Sequence, residues 1–315
     1  MPFHKGHEAL IEYAKSNCDH LTILVGYREG EPIPLKYRLH WVSSAYLHDP
    51  KIEVKGDTIN HPTDLSFDDL SAWWAKHILD NYGQFSRVFS SEDYGKHFAN
   101  CMNAENWVFN ESRTIIPISA TMIRQKPHTY WDYLNSYAKD YFVKKIAIVG
   151  TESTGKTIMC ERLAKHYNTL WVPELGRQMI PDTRECSFDD LKWVGTAHAK
   201  TILTSVRSAN KVLFVDTDMV ITKSYAKHLF NRELNFPWWV EDANKMDLHI
   251  FLEQNAPYVD DGTRLPVKER NILSATHEKG FKEAGIKVKS FDYCGDYDVR
   301  LQNVIDYIDK FLSKF

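Results

Sequence analysis

In Lys144-Lys145-Ile146-Ala147-Ile148-Val149-Gly150-Thr151-Glu152-Ser153-Thr154-Gly155-Lys156-Thr157 an apolar run passes directly into a loop bracketed by glycines. Five of the first seven residues are apolar or Gly, which suits a central strand buried on both faces. From Gly150 to Thr157 the loop satisfies G-x-x-x-x-G-K-[ST], and the helical spacing of Lys156–Tyr167 supplies the helix that such a loop must open. The chemistry needs these residue types. Gly150 and Gly155 let the main-chain N–H groups of Thr151, Glu152, Ser153 and Thr154 close around phosphate oxygens, and the helix N-terminus adds partial positive charge. Lys156 is expected to reach the β- and γ-phosphates of ATP, and Thr157 to hold Mg2+.

The segments downstream extend this site. Val212-Leu213-Phe214-Val215-Asp216-Thr217-Asp218 reads as a buried strand ending in two carboxylates. An acid at the tip of a neighbouring strand holds Mg2+ or accepts a proton from the acceptor hydroxyl, and the pattern does not separate the roles of Asp216 and Asp218. Pro173-Glu174-Leu175-Gly176-Arg177 follows a short strand at Thr169–Val172. Glu174 and Arg177 there read as acceptor-substrate contacts, with a surface ion pair as the plain alternative. Tyr258-Val259-Asp260-Asp261-Gly262-Thr263-Arg264 lies in a polar loop between a strand and a helix. It reads either as a closing lid that brings Arg264 onto the transferring phosphoryl group or as an ordinary turn. Further strands are expected at Leu248–Leu252 and Ile286–Phe291, and helices at Ser187–Ala209, Val267–Ala284 and Asp296–Phe315.

The first half repeats this alternation. Leu21–Val25, Lys51–Val54 and Arg87–Phe89 read as strands, and Pro34–Leu47 and Phe67–Leu79 as helices. Strands alternating with helices of this length imply parallel βαβ units. His4-Lys5-Gly6-His7 opens the chain, and Ile118-Ser119-Ala120-Thr121-Met122-Ile123-Arg124 leads into a short helical stretch. Ser119, Thr121 and Arg124 together make a triphosphate site. His4 and His7 are expected to face the α-phosphate as positive hydrogen-bond donors. The strand at Arg87–Phe89 ends in Ser90-Ser91-Glu92.

The 315 residues, 43% hydrophobic and 26% charged, provide for two domains, placed at 1–141 and 142–315. No Gly/Ser/Pro-rich linker marks the seam near Lys139–Val143, so the domains are expected to pack closely or to share a short rigid connection. Lys and Arg number 39 against 42 Asp and Glu, so there is no global basic field and a dedicated nucleic-acid binder is not expected. Five dispersed cysteines without a CxxC pair point to reduced thiols rather than a zinc knuckle or disulfide frame. With no long apolar run and no signal-peptide core, a cytoplasmic protein without membrane insertion is expected. A homo-oligomer is compatible with this reading.

Pro2-Phe3-His4-Lys5-Gly6-His7 with Ile118–Arg124 resembles the HxGH nucleotidylyltransferase superfamily. Followed by the phosphate loop and Asp216-Thr217-Asp218, the whole chain resembles the bifunctional NadR family. Segments like Ser90-Ser91-Glu92, Glu174-Leu175-Gly176-Arg177 and Asp260–Arg264 occur in that family. The resemblance implies an α/β fold of two parallel-sheet domains, a Rossmann-like HxGH nucleotidylyltransferase followed by a P-loop kinase. The second domain would phosphorylate nicotinamide riboside at its 5′-hydroxyl with ATP. The first would join the resulting nicotinamide mononucleotide (NMN) to AMP from ATP, releasing pyrophosphate and forming NAD. The family motif begins upstream, with a strand and a Gly-x-Phe turn, whereas here Met1 stands next to Pro2. That strand would be central in the sheet, so weak adenylyl transfer is expected, and adding the strand should raise pyrophosphate release. The DNA-binding helix-turn-helix that some members carry ahead of the first domain is missing here, so a repressor role is not expected.

Of the nine tryptophans, Trp41, Trp73-Trp74 and Trp238-Trp239 invite stacking on a cationic nicotinamide ring, although core packing is the commoner use. By resemblance, Trp74 and Tyr258 are the stacking candidates. Arg38 has two readings, contact with a substrate phosphate or solvation of its helix. Asp68-Asp69 reads as a helix start. Two rival functions keep the fold: an adenylyl- or cytidylyltransferase joined to a kinase for another small metabolite, and a nucleotide-sensing regulatory protein.

Overall fold

The computed structural model describes every residue except 61, 63–64, 93, 111, 113, 181–185 and 258–265, and gives only the backbone of Arg177. The chain divides into two units, Met1–Lys139 with Phe315, and Asp140–Lys314. Both are α/β units with parallel sheets.

In the first unit the order is α1 (Lys5–Ser16), β1 (Leu21–Tyr27), α2 (Leu35–Ala45), β2 (Ile52–Thr58), α3 (Phe67–Tyr82), β3 (Arg87–Ser90), α4 (Tyr94–Cys101), β4 (Glu105–Val108), α5 (Ala120–Gln125) and α6 (Ser136–Lys139). The strands form two parallel pairs, β1 with β2 and β3 with β4. A cavity of about 630 Å³ lies beside both pairs, lined by Leu21, Thr22 and Leu24 of β1, by Arg87–Ser90 of β3, and by Trp74. Asp68 and Asp69 do start a helix: Ser66 caps α3 by accepting from the Asp69 N–H at 3.2 Å.

In the second unit the order is β5 (Lys144–Val149), α7 (Lys156–His166), β6 (Trp171–Val172), α8 (Gly176–Met179), α9 (Phe188–Ser205), β7 (Val212–Asp216), α10 (Met219–Phe230), α11 (Trp238–Ala243), β8 (Leu248–Leu252), α12 (Val267–Glu283), β9 (Val288–Phe291) and α13 (Tyr297–Leu312). The sheet runs β6-β7-β5-β8-β9, all parallel. Successive side chains of β5 point to opposite faces. Ile146 and Ile148 pack on Leu163 of α7 and Ile308 of α13, while Ala147 and Val149 pack on Ile221 of α10 and Phe281 of α12. A strand covered on both sides this way has to be continuously apolar, and the sequence of β5 is.

Some elements escape the sequence pattern. No helix is expected between Asp218 and Leu248, yet α10 and α11 lie there. Val220, Ile221, Thr222, Ser224 and Ala226 of α10 are all buried, and the mixture of apolar and hydroxyl residues on that face blurs its amphipathic periodicity. Strand β4 is short and polar. Its Glu105 stands opposite Arg87 of β3 in register, with Arg87 Nε 3.0 Å from Glu105 Oε2. The expected strand at Thr169–Val172 contracts to Trp171–Val172, and the last strand starts at Val288 rather than Ile286.

A guanidinium closes the carboxyl edge of the second sheet. Arg300 of α13 is fully buried. Its Nη1 donates to Thr154 O at 3.0 Å, Nη2 to Glu253 O at 2.9 Å and to Phe291 O at 2.6 Å, and Nε to Phe291 O at 3.2 Å. One side chain thus ties the phosphate loop to the ends of β8 and β9. Replacing it as Arg300→Met removes every one of these donors and leaves buried carbonyls unpaired. The expected loss is about 3–5 kcal/mol of stability in this unit, read by urea unfolding. A loss below about 1 kcal/mol would show that the carbonyls find other donors.

Candidate functional site

The loop after β5 is shaped by positions that only special residues fill. Gly150 sits at φ +143°, and a Cβ there would lie 2.6 Å from Leu252 O. Ser153 at φ +59° and Gly155 at φ +88° complete the turn into α7. Lys156 is 7% exposed, and its ammonium donates to Thr151 O at 2.9 Å, as does Thr154 Oγ1. The ammonium therefore rests on the loop's own carbonyl, at the place an anion would compete for it.

Thr157 Oγ1 donates to Asp216 Oδ2 at 2.6 Å, and Asp216 is wholly buried. The two groups expected to share a cation are thus adjacent, and a hydroxyl beside a carboxylate is a hard-oxygen donor set suited to Mg2+. Beyond Asp216 the chain turns through Thr217 at φ +72°, a costly conformation for a β-branched residue, with Thr217 N–H donating to Ile148 O at 3.0 Å. Asp218, the second of the two strand-end carboxylates, is engaged within the fold. Its Oδ1 caps α10 by accepting from Ile221 N–H at 3.1 Å, and its Oδ2 lies 2.9 Å from His249 Nε2, both within the core. Glu152 is buried, with Tyr225 OH donating to its Oε1 at 3.3 Å. Glu174 stands half-buried between β6 and α8. Tyr258, Arg264 and the rest of the expected lid lie outside the described residues, as does the Arg177 side chain.

Sequence reasoning missed two histidines here. His198 on α9 and His277 on α12 are both buried; among the described residues, His198 Nε2 and both ring nitrogens of His277 have no hydrogen-bond partner. Their helices are amphipathic enough that a buried histidine looks like any other core position, and no spacing rule flags it.

In the first unit, His4 caps α1, its Nδ1 accepting from Gly6 N–H at 3.0 Å. With Nδ1 as acceptor, the neutral ring carries its proton on Nε2. A Cβ on Gly6 would lie 2.9 Å from His4 Cε1, so only glycine lets the ring fold back over the helix start. His4 and His7 stack at 3.9 Å, and His7 Nδ1 is buried without a partner among the described residues. Burial first, then His4 and the terminal ammonium, hold His7 well below the ordinary histidine range. Burial thus favours the neutral form of His7, where the sequence leads one to expect a positive donor.

Ser119 caps α5 by accepting from Met122 N–H at 3.2 Å, and Arg124 donates to Thr121 Oγ1 at 2.9 Å and Met1 O at 2.6 Å. Ile118 lies 3.6 Å from where a Gly6 Cβ would be, so the two segments do meet.

Three other readings change or sharpen. Arg38 is buried rather than solvating its helix: it donates to Ile33 O at 2.7 Å and Gly26 O at 3.0 Å, and pairs with Glu31 at 2.8 Å. These bonds brace the turn after β1. Ser90 packs under α4, where a Cβ on Gly95 would collide with its Oγ, while Ser91 stands at the turn. Trp74 lines the cavity beside β1 and β3, and Trp41 is core, 1% exposed. No described helix is long and apolar enough to cross a membrane.

A parallel sheet carrying a glycine-bounded phosphate loop at its carboxyl edge defines the second unit as a P-loop domain, and a family model described as an AAA domain matches residues 145–298. The likeness extends over the whole chain. It is 27% identical to the "Trifunctional NAD biosynthesis/regulator protein NadR" of Salmonella typhimurium, over 99% of this chain and 82% of that protein. It is 29% identical to the protein so named from Escherichia coli K12, over 84% of this chain and 69% of that one. Two crystal structures of NadR, one in complex with NR and one with NAD and AMP-PNP, share the fold. Their TM-scores are 0.77 and 0.78 at 22% identity, each over 99% of this chain and 93% of that one. The resemblance to NadR proteins thus holds in sequence and in fold over most of the chain.

The buried histidines make a measurable prediction. Burial, then Lys156 and His228, push His277 from 6.5 down to about 3. Between those values the unfolded chain binds a proton that the native state refuses. Stability is therefore fully present above pH 6.5 and falls as pH drops, by roughly 1.4 kcal/mol per pH unit from this group. In His277→Gln, denaturation midpoints measured from pH 7.5 to 5 are expected to fall less steeply with acid. Equal slopes in both proteins would refute the assignment.

Proposed function

We propose that this protein is a two-step NAD salvage enzyme: unit two phosphorylates nicotinamide riboside with ATP, and unit one transfers an adenylyl group from ATP to the NMN produced. The observation that carries this reading is the pairing of Thr157 with buried Asp216 beneath a loop whose ammonium rests on its own carbonyl. The whole-length likeness to NadR proteins supports the choice of substrates.

In the kinase step, Lys156 exchanges the Thr151 carbonyl for phosphate oxygens, and the main-chain N–H groups from Thr151 to Thr157 surround them. Thr157 and Asp216 are the residues that would hold Mg2+, which when bound neutralises charge on the phosphates. Asp216 is engaged by Thr157, and Asp218 by the α10 cap and His249. We therefore assign Glu174 to accept the 5′-hydroxyl proton as that oxygen bonds to the γ-phosphorus and ADP departs. Arg264 and Arg177 remain assigned to the phosphoryl and acceptor groups, and Tyr258 to stacking.

In the adenylyl step, a phosphate oxygen of NMN attacks the α-phosphorus of ATP and pyrophosphate leaves. His4 donates from Nε2, and His7 gains its positive charge only beside the phosphates. Arg124, Thr121 and Ser119 steady the triphosphate, with Ser91 at its edge, and Trp74 is assigned to the nicotinamide ring.

Two assays separate the halves. ADP release with nicotinamide riboside, compared with pantetheine and nucleosides, is expected to favour the riboside. Lys156→Ala should lower that rate by at least about 10²-fold while leaving pyrophosphate release from NMN and ATP within about two-fold. His7→Ala should do the reverse. Full kinase rate in Lys156→Ala would refute the loop assignment, and preference for another acceptor would refute the substrate.

A further inference from the structure

His198 lies on α9, the helix that packs against β6 and α8, which bracket Glu174. It is 6% exposed. Glu174 and Asp218 are near enough to act on its charge, and its ring hydrogen-bonds the main chain of Asp216. Nε2 is buried and has no hydrogen-bond partner among the described residues, so the bond to Asp216 falls to Nδ1. A main-chain carbonyl takes a proton there, which fixes the tautomer: Nδ1 carries the hydrogen and Nε2 presents a lone pair.

Three acidic side chains stand at the strand tips on this side of the sheet, Glu174 after β6 and Asp216 and Asp218 at the end of β7. Asp216 receives Thr157, Asp218 receives Ile221 N–H and lies against His249, and Glu174 is a carboxylate. What satisfies Nε2 must bring its own O–H or N–H, and acidic side chains nearby favour a ligand that donates. A sugar is such a ligand.

We propose that His198 is a further specificity-determining residue of the kinase unit, its Nε2 accepting a hydrogen bond from a secondary ribose hydroxyl of the phosphoryl-acceptor substrate. This rests on the kinase reading above and adds to it the residue that recognises the sugar.

Two substitutions separate recognition from support. His198→Asn places an amide near Nδ1 and keeps a donor for Asp216 while removing Nε2. His198→Gln reaches the position of Nε2. Initial rates are measured with nicotinamide riboside and with its 2′-deoxy and 3′-deoxy analogues, varying ATP separately. His198→Asn is expected to raise KM for the riboside by about 10–100-fold, with KM for ATP within about two-fold. One deoxy analogue should be handicapped with the unmodified enzyme yet cost less than about two-fold more in His198→Asn, because the bond is already lost. His198→Gln should recover part of the loss.

An unchanged KM for the riboside in His198→Asn overturns the proposal. So does a variant in which both deoxy analogues keep their full handicap, which would mark His198 as merely structural. If the unmodified enzyme releases no ADP with the riboside, the kinase reading itself fails and this proposal with it. An active parent with an indifferent variant fails this proposal alone.

Discussion

Strand β5 is hydrogen-bonded in parallel to β7 on one side and β8 on the other, and helices cover both of its faces. Parallel pairing forces all three strands to end at the same edge. The phosphate loop, the Asp216-Thr217-Asp218 turn and the Glu253 carbonyl meet there because no other arrangement satisfies the ladder. Arg300 then draws Thr154, Glu253 and Phe291 onto one guanidinium. A buried charge of this kind is tolerable only because its donors meet carbonyls that would otherwise go unpaired.

The polar groups behind that edge divide into committed and waiting. Thr157 with Asp216 and His249 with Asp218 are settled pairs. Nε2 of His198 and both nitrogens of His277 are not. Folded cores seldom leave buried polar atoms unsatisfied, and these lie near the loop and the strand tips rather than at random in the sheet. In the first unit the same contrast appears on one helix start, where His4 is satisfied by Gly6 and His7 Nδ1 is left open.

The two units differ in how their sheets are completed. The second has five strands in one sheet, whereas the first has two parallel pairs beside a cavity of about 630 Å³. Parallel strands are normally buried on both faces and both edges of the central strand. The residues lining that cavity, among them Leu24 of β1 and Val88 of β3, are of the type that faces a neighbouring strand or an apolar ligand.

Sequence alone determined the alternation of strands and helices, the loop from Gly150 to Thr157, and the pairing of His4-Lys5-Gly6-His7 with Ser119–Arg124. Each rests on local chemistry: apolar runs, positive φ at glycine, and capping residues in fixed spacing. Asp68-Asp69 as a helix start was legible for the same reason. The tertiary structure decided what spacing does not encode. It put Arg38 under the turn after β1, Ser90 beneath Gly95, and Asp218 into a helix cap against His249, which lies 31 residues away. It also brought His198, His277 and Arg300 to the carboxyl edge. Their partners come from distant strands, and a buried polar residue on a helix shows its purpose only when those partners, or the lack of them, are in place.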